Sequence, residues 1–177
     1  MDLTDELEQG IPYNQKGLFA RIVKEIEGAD FEIVIACTWF TDRELYDRVL
    51  KKALQKVRVH LILADNIANS RLDFDLLAAS GATVIKAKNT SRLLARHNFC
   101  VIDKRLALHG AYNYSLNARR NSREGVVLTK HQPTIETLLV KFANFKQKVE
   151  SHNKVSRGDL EPDFSAFNRW LYRDQNE

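Results

Sequence analysis

Cysteine is scarce. The chain of 177 residues holds two, Cys37 and Cys100. Each sits in an apolar run that reads as a strand, so both read as buried free thiols, and no spacing links them as metal ligands. A reducing, cytoplasmic location is the expectation. Long apolar runs are also missing. None approaches the roughly 20 residues that a membrane-spanning helix needs. The opening residues MDLTDELEQG are acidic and polar, which argues against a secretory or transit peptide. No internal repeat or low-complexity segment occurs. What remains is an ordinary globular composition, 44% hydrophobic and 28% charged, with ample chain for one core.

Acidic residues are nearly absent from one segment. The whole chain has 27 Lys and Arg against 23 Asp and Glu, a net charge of +4. Between Lys86 and Arg123, however, Lys86, Lys88, Arg92, Arg96, Lys104, Arg105, Arg119, Arg120 and Arg123 face the single acid Asp103. Such clustering is the footprint expected of a face that binds a polyanion. Phosphate contacts need only reach and charge, so Arg119, Arg120 and Arg123 are the leading candidates, with Arg92 beside them.

Hydrophobic periodicity lays out the elements. Residues 1–16 read as a loose extension. Leu18, Ile22 and Ile26 recur at helical spacing over 17–27. Residues 31–37 form a strand apolar on both faces, as in a covered sheet. Thr41-Asp42-Arg43-Glu44 reads as a capping box opening a helix that ends near Gln55. A strand over 57–64 follows. Ser70 then caps a helix over 71–80, with Asp73 in its first turn and Gly81 ending it. A third strand covers 83–87. This β-α-β-α-β run predicts an α/β fold with a mixed, mostly parallel sheet covered by helices on both faces. Beyond it lie a strand over 125–129 and a long helix with Pro133 in its first turn. The domain is expected to span 17–152. In the tail, 153–177, Phe164, Phe167, Trp170 and Leu171 repeat at roughly helical spacing. They suit a helix folded back on its own domain or one that docks a protein partner. Charges of both signs beside them argue against a membrane surface.

The segment from Arg96 to Glu124 reads as strand, turn, strand and polar loop. Phe99–Ile102 and Leu106–Leu108 flank the break Asp103-Lys104-Arg105, a hairpin pattern, and Gly110 lets the chain turn. This segment resembles the signature of the phospholipase D superfamily, H-x-K-(x)4-D followed by G-S-x-x-N and a later Glu. Phe99-Cys100-Val101-Ile102-Asp103 fits the segment that ends in the family's Asp, Gly110 and Asn113 fit its Gly and Asn, and Glu124 fits the later Glu. Arg96 stands at the place of the His, Asn98 at that of the Lys and Ala111 at that of the Ser. The helix and strand order from about Gly17 to His152 resembles the family's single-motif nuclease members.

The resemblance implies a site in which one His attacks phosphorus, a second His protonates the leaving oxygen, and Lys and Asn side chains hold the phosphate. A chain with one motif would assemble that pair as a twofold homodimer. The replacements bear on this chemistry. A nucleophilic nitrogen needs a free lone pair, which imidazole has near neutral pH. The Arg96 guanidinium stays protonated, so it neither attacks nor exchanges a proton, but it grips phosphate with a bidentate fork. Asn98 offers a hydrogen bond without charge. His97 shares strand parity with Phe99 and Val101 and so faces away from Arg96 and Asn98. His97 and His109 are the alternative catalytic candidates. Asp103 supports the fold or serves as a turn residue. Asn113 faces a phosphate pocket or is a turn Asn, and Glu124 pairs with Arg96 or another base. Tyr112 and Tyr114 stack on bases or pack, one packed and one exposed.

Three functions follow. The first is a degenerate phospholipase D-like domain that binds nucleic acid or another phosphodiester, without metal or cofactor. The second is an active metal-independent phosphodiesterase using His97 or His109. The third is a protein-interaction scaffold.

Overall fold

A computed structural model describes residues 9–11, 15–88, 94, 98–121 and 126–155. Five helices and seven strands appear among them, in the order β1 (Gln9–Ile11), α1 (Gln15–Glu27), β2 (Glu32–Cys37), α2 (Arg43–Leu54), β3 (Arg58–Ala64), α3 (Phe74–Ala79), β4 (Thr83–Ala87), β5 (Asn98–Ile102), β6 (Leu106–Gly110), α4 (Leu116–Asn121), β7 (Val126–Thr129) and α5 (Gln132–Val155). The strands form one sheet in the order β1-β7-β6-β5-β2-β3-β4. The expected β-α-β-α-β unit supplies the parallel ladders β2–β3 and β3–β4, and the four remaining ladders are antiparallel. Strands β5 and β7 therefore run against the other five, so the sheet is mixed with most strands pointing one way.

Both faces are covered, which explains why β2 and β5 are apolar on both sides. Ile33, Ile35 and Cys37 pack with Cys100 and Ile102 under α1, α2 and α3. Val34, Ala36, Phe99 and Val101 face the other way, against Ile135, Phe142, Phe145 and Val149 of α5. Cys37 and Cys100 are buried free thiols, as expected. Burial pushes both up in pKa, that of Cys100 to about 12.

Several boundaries differ from the sequence reading. Gln9–Ile11, expected as loose extension, pairs antiparallel with Val126–Leu128. The exposed edge of β7 offers unpaired backbone groups, and three residues suffice to cover it. The cap of α2 is Asp42 rather than Thr41. Its carboxylate accepts from the N–H groups of Glu44 and Leu45 at 3.0 and 3.3 Å, where a negative charge complements the helix dipole. Ser70 does not begin a helix either. Asn69–Arg71 is a single 3-10 turn, and α3 starts three residues later under Asp73, which accepts from Leu76 N–H at 2.8 Å. The Ser70 hydroxyl turns back to Ile67 O instead.

The loop expected over 113–123 contains α4. Ser115 caps it by accepting from Ala118 N–H at 3.0 Å, and the buried Ala118 turns inward. Helices α2 and α3 end alike. Lys56 N–H reaches Ala53 O while Val57 N–H reaches Lys52 O, and Gly81 and Ala82 do the same to Ala78 and Leu77. This six-to-one arrangement needs a left-handed residue, supplied by Gly81 (φ 100°) and, without that freedom, by Lys56 (φ 70°).

Candidate functional site

In α/β sheets, ligands bind outside the carboxyl ends of the strands. Here β2, β3 and β6 deliver three loops to that end, over residues 38–42, 65–69 and 111–115, and β5 begins there with Asn98, paired to Gly110. The loop after β2 is pinned along its whole length. Thr38 N–H donates to Asn98 Oδ1 at 3.1 Å, Trp39 N–H to Asn113 Oδ1 at 3.3 Å and Phe40 N–H to Asn69 Oδ1 at 2.8 Å. Thr41 and Asp42 N–H both donate to Tyr114 O, and Tyr114 N–H returns a bond to Trp39 O. Three asparagines, one at the start of β5 and one each in the segments after β3 and β6, thus hold three successive backbone donors.

Asn98 is 4% exposed. Its Nδ2 donates to Ala111 O at 3.0 Å, so both ends of its amide are bonded to backbone. The position at which the family resemblance expects a lysine is a cross-brace between loops. Asn69, which the sequence reading did not single out, is equally buried. Its Nδ2 donates to Thr38 O and Ala64 O at 2.9 and 2.7 Å. Only its place in a polar loop after a strand hinted at it. Asn113 is half-buried and serves Trp39.

The two tyrosines flanking Asn113 both pack inward, contrary to the expectation that one is exposed. Tyr112 and Tyr114 are buried, with Tyr114 against Phe40 and Tyr112 at ring-centroid distances of 5.5 and 6.1 Å. Burial, and next the nearby Asp42 carboxylate, push the Tyr112 hydroxyl up to about 12 against the opposing pull of Arg119. Asn98, His109, Gly110 and Tyr112 line a small cavity beneath the loops. Among the described residues, the aromatic that faces solvent at this end is Trp39, 46% exposed.

The basic segment does not form one face. The turn at Asp103–Arg105 lies at the other end of β5, five strand residues or roughly 16 Å from Asn98, and carries Lys104 and Arg105 away from the site. Arg105 lies near Asp103 and Glu25, and Lys86 pairs with Asp75. Arg119, expected to grip phosphate, is engaged within the protein. Its Nη1 is 2.7 Å from Glu44 Oε2 and 3.7 Å from Asp42 Oδ2, and its guanidinium lies 3.5 Å over the Phe19 ring. It knits α1, α2 and α4. Arg120 and Lys88 are exposed. Arg92, Arg96, His97, Arg123 and Glu124, and the tail with Phe164, Phe167, Trp170 and Leu171, lie outside the described residues.

Asp103 has a plain structural duty. Its carboxylate accepts from the backbone N–H groups of Asp30, Phe31 and Glu32 at 2.8–3.0 Å, tying the hairpin turn to the entry of β2. Burial would raise its pKa, but these three donors and the Arg105 guanidinium outweigh it and hold the group below the usual carboxylate range. Ala111 is exposed. Among the described residues no three His, Cys, Asp or Glu side chains gather as metal ligands would, and no helix is long and apolar enough to cross a membrane.

Comparison with known proteins fits this architecture. A curated relative, the mitochondrial cardiolipin hydrolase of Homo sapiens, is 24% identical over 134 residues, 75% of this chain, and the chain spans about half of its length, 52%. Among solved structures, Nuc of Salmonella typhimurium, a phospholipase D family member, superposes with a TM-score of 0.68 at 17% identity, over 80% of this chain and 94% of that one. TrmBL2, an archaeal chromatin protein with a novel mode of DNA binding, gives 0.61 at 16% identity, over 84% of this chain and 55% of that one. These two likenesses are of fold. The family model described as "Cardiolipin synthase, PLD-like domain" matches residues 22–146, and the chain therefore belongs to the phospholipase D superfamily.

Proposed function

We propose that this chain is a degenerate phospholipase D-like domain that grips nucleic acid, or another phosphodiester, without hydrolysing it. The observation that carries the reading is the Asn98 amide, bonded at both ends to backbone. It brings no positive charge and has little capacity left for a phosphate oxygen. Arg96, two residues earlier, stands at the nucleophile's place and carries a guanidinium that stays protonated at any physiological pH. A cation that holds phosphate, beside an amide that holds the protein, favours retention over turnover. The exposed Arg120 and Lys88 add charge for backbone contacts. A structural neighbour described by its DNA binding supports nucleic acid as the phosphodiester. The family resemblance adds a twofold dimer with Arg96 of each copy at the seam, and the buried free thiols suit a reducing, cytoplasmic compartment.

A second reading, metal-independent hydrolysis, draws on the relative named as a cardiolipin hydrolase and on His109 beside the small cavity. One experiment separates the two. Full-length protein is titrated against labelled single- and double-stranded DNA, RNA and cardiolipin vesicles at low and moderate salt, and the same samples are tested for cleavage with and without chelator. Binding that weakens steeply with salt and leaves the ligand intact is the expected result. Cleavage lost in His97→Ala or His109→Ala would establish the second reading. Protein that binds none of these would point to an interaction scaffold.

A further inference from the structure

We infer that Trp39 is a stacking platform for a nucleobase at the rim of this site, an inference that rests on the nucleic-acid reading above. Three observations carry it. Trp39 is 46% exposed, whereas its neighbours Thr38 and Phe40 are 6% and 0% exposed. The side chain therefore faces outward from a segment that is otherwise inside. The backbone beneath it is also immobilised. Trp39 N–H is held by Asn113 and Trp39 O by Tyr114 N–H, and the donors on either side are held by Asn98 and Asn69. An aromatic presented on fixed backbone loses little freedom when a base settles on it, which is the economy of a preorganised contact. Finally, two of the residues doing the holding, Asn98 and Asn113, stand at positions where the family resemblance puts phosphate ligands, so the ring is tied to the place where a phosphodiester would sit.

Stacking beside a cationic surface is the combination by which single strands are held without sequence preference, because every base has a π-face. The helix that follows the Asn113 loop carries the exposed Arg120. Tyr112 and Tyr114 are unavailable for this role, being buried. A flexible single strand, with bases free to leave their neighbours, is the form of nucleic acid that such a ring fits.

The test uses tryptophan emission. The chain has two tryptophans, so Trp170→Phe leaves Trp39 as the sole emitter in the full-length protein. Oligo(dT) added at low salt should quench it. Trp39→Ala should weaken oligo(dT) binding by roughly tenfold, Trp39→Phe should retain most of the affinity, and the slope of log affinity against log salt should not change, since the phosphate contacts remain. An abasic strand of equal length should bind wild type and Trp39→Ala alike. If wild type binds oligo(dT) and Trp39→Ala binds it equally well, with the fold intact by circular dichroism, the inference is overturned and the proposed function stands. If wild type binds no nucleic acid at low salt, the inference fails together with the nucleic-acid form of the proposed function.

Discussion

The Oδ1 atom of Asn98 accepts the backbone N–H of Thr38 at 3.1 Å, joining the first residue of β5 to the exit of β2. With the bond from Nδ2 to Ala111 O, this makes one buried side chain responsible for the relative placement of two site loops. Asn98→Ala leaves the buried Thr38 N–H and the part-buried Ala111 O without their partner and should cost about 1–3 kcal/mol. The urea midpoint should fall while the slope of unfolding free energy against urea stays constant. Asn98→Lys, which restores the residue type of the family, should destabilise similarly and should not by itself produce hydrolysis.

Arg119 and Arg120 are adjacent in sequence, but Arg119 is paired within the protein and Arg120 is exposed. Arg119→Ala removes the pairing with Glu44 and the contact over Phe19 and should lower stability by about 1–3 kcal/mol. Arg119→Lys should recover part of the charge pairing but not the planar stacking. Arg120→Ala should leave thermal unfolding unchanged and reduce the salt slope of polyanion binding by about one. Thermal melts and salt titrations on the three variants check the division.

Asp103 sets an acid limit. Its pKa is lowered in the folded state, so its contribution is complete above the ordinary carboxylate value of about 3.9 and is lost as pH falls through the folded value. Asp103→Asn should weaken the protein at neutral pH, where the charged acceptor is missed by three backbone donors, and should flatten the dependence of stability on pH below about 4. Chemical unfolding at a series of pH values measures both effects.

Lys56 occupies the left-handed cap of α2 at φ 70°, a conformation that costs a residue with a Cβ roughly 1 kcal/mol. Lys56→Gly relieves that strain and loses some of the gain to the freer unfolded chain. A net stabilisation of about 0.5 kcal/mol is expected, read as a raised urea midpoint.

The layered α/β fold was legible because burial on both faces writes continuous apolar runs into β2, β3 and β5, and because Pro133 and Gly81 punctuate their helices. Elements with little burial left little trace. Three residues make β1, and one inward alanine, Ala118, anchors the six-residue α4. The cap moved from Thr41 to Asp42 because Tyr114 O, more than 70 residues away, holds both N–H groups in the loop. The basic segment looked like one face only because sequence distance hides strand reversal. The hairpin sends Lys104 and Arg105 to the far end, and acids outside the segment, Glu44, Asp42, Glu25 and Asp75, pair with or lie beside Arg119, Arg105 and Lys86. The replacement at Asn98 was readable, but its partners were not, since Thr38 lies 60 residues away. Nothing local in the sequence records that the Trp39 backbone is pinned and that the residue is exposed.

The most direct measurement is a cleavage assay under binding conditions: end-labelled single-stranded DNA, full-length protein in excess, low salt, neutral pH, with chelator, followed for hours on a denaturing gel while binding is read by anisotropy. Saturated binding with intact DNA is the predicted result. Chelator-insensitive cleavage at saturation, removed by His97→Ala or His109→Ala, would contradict the reading of Arg96 and Asn98 as a grip without turnover.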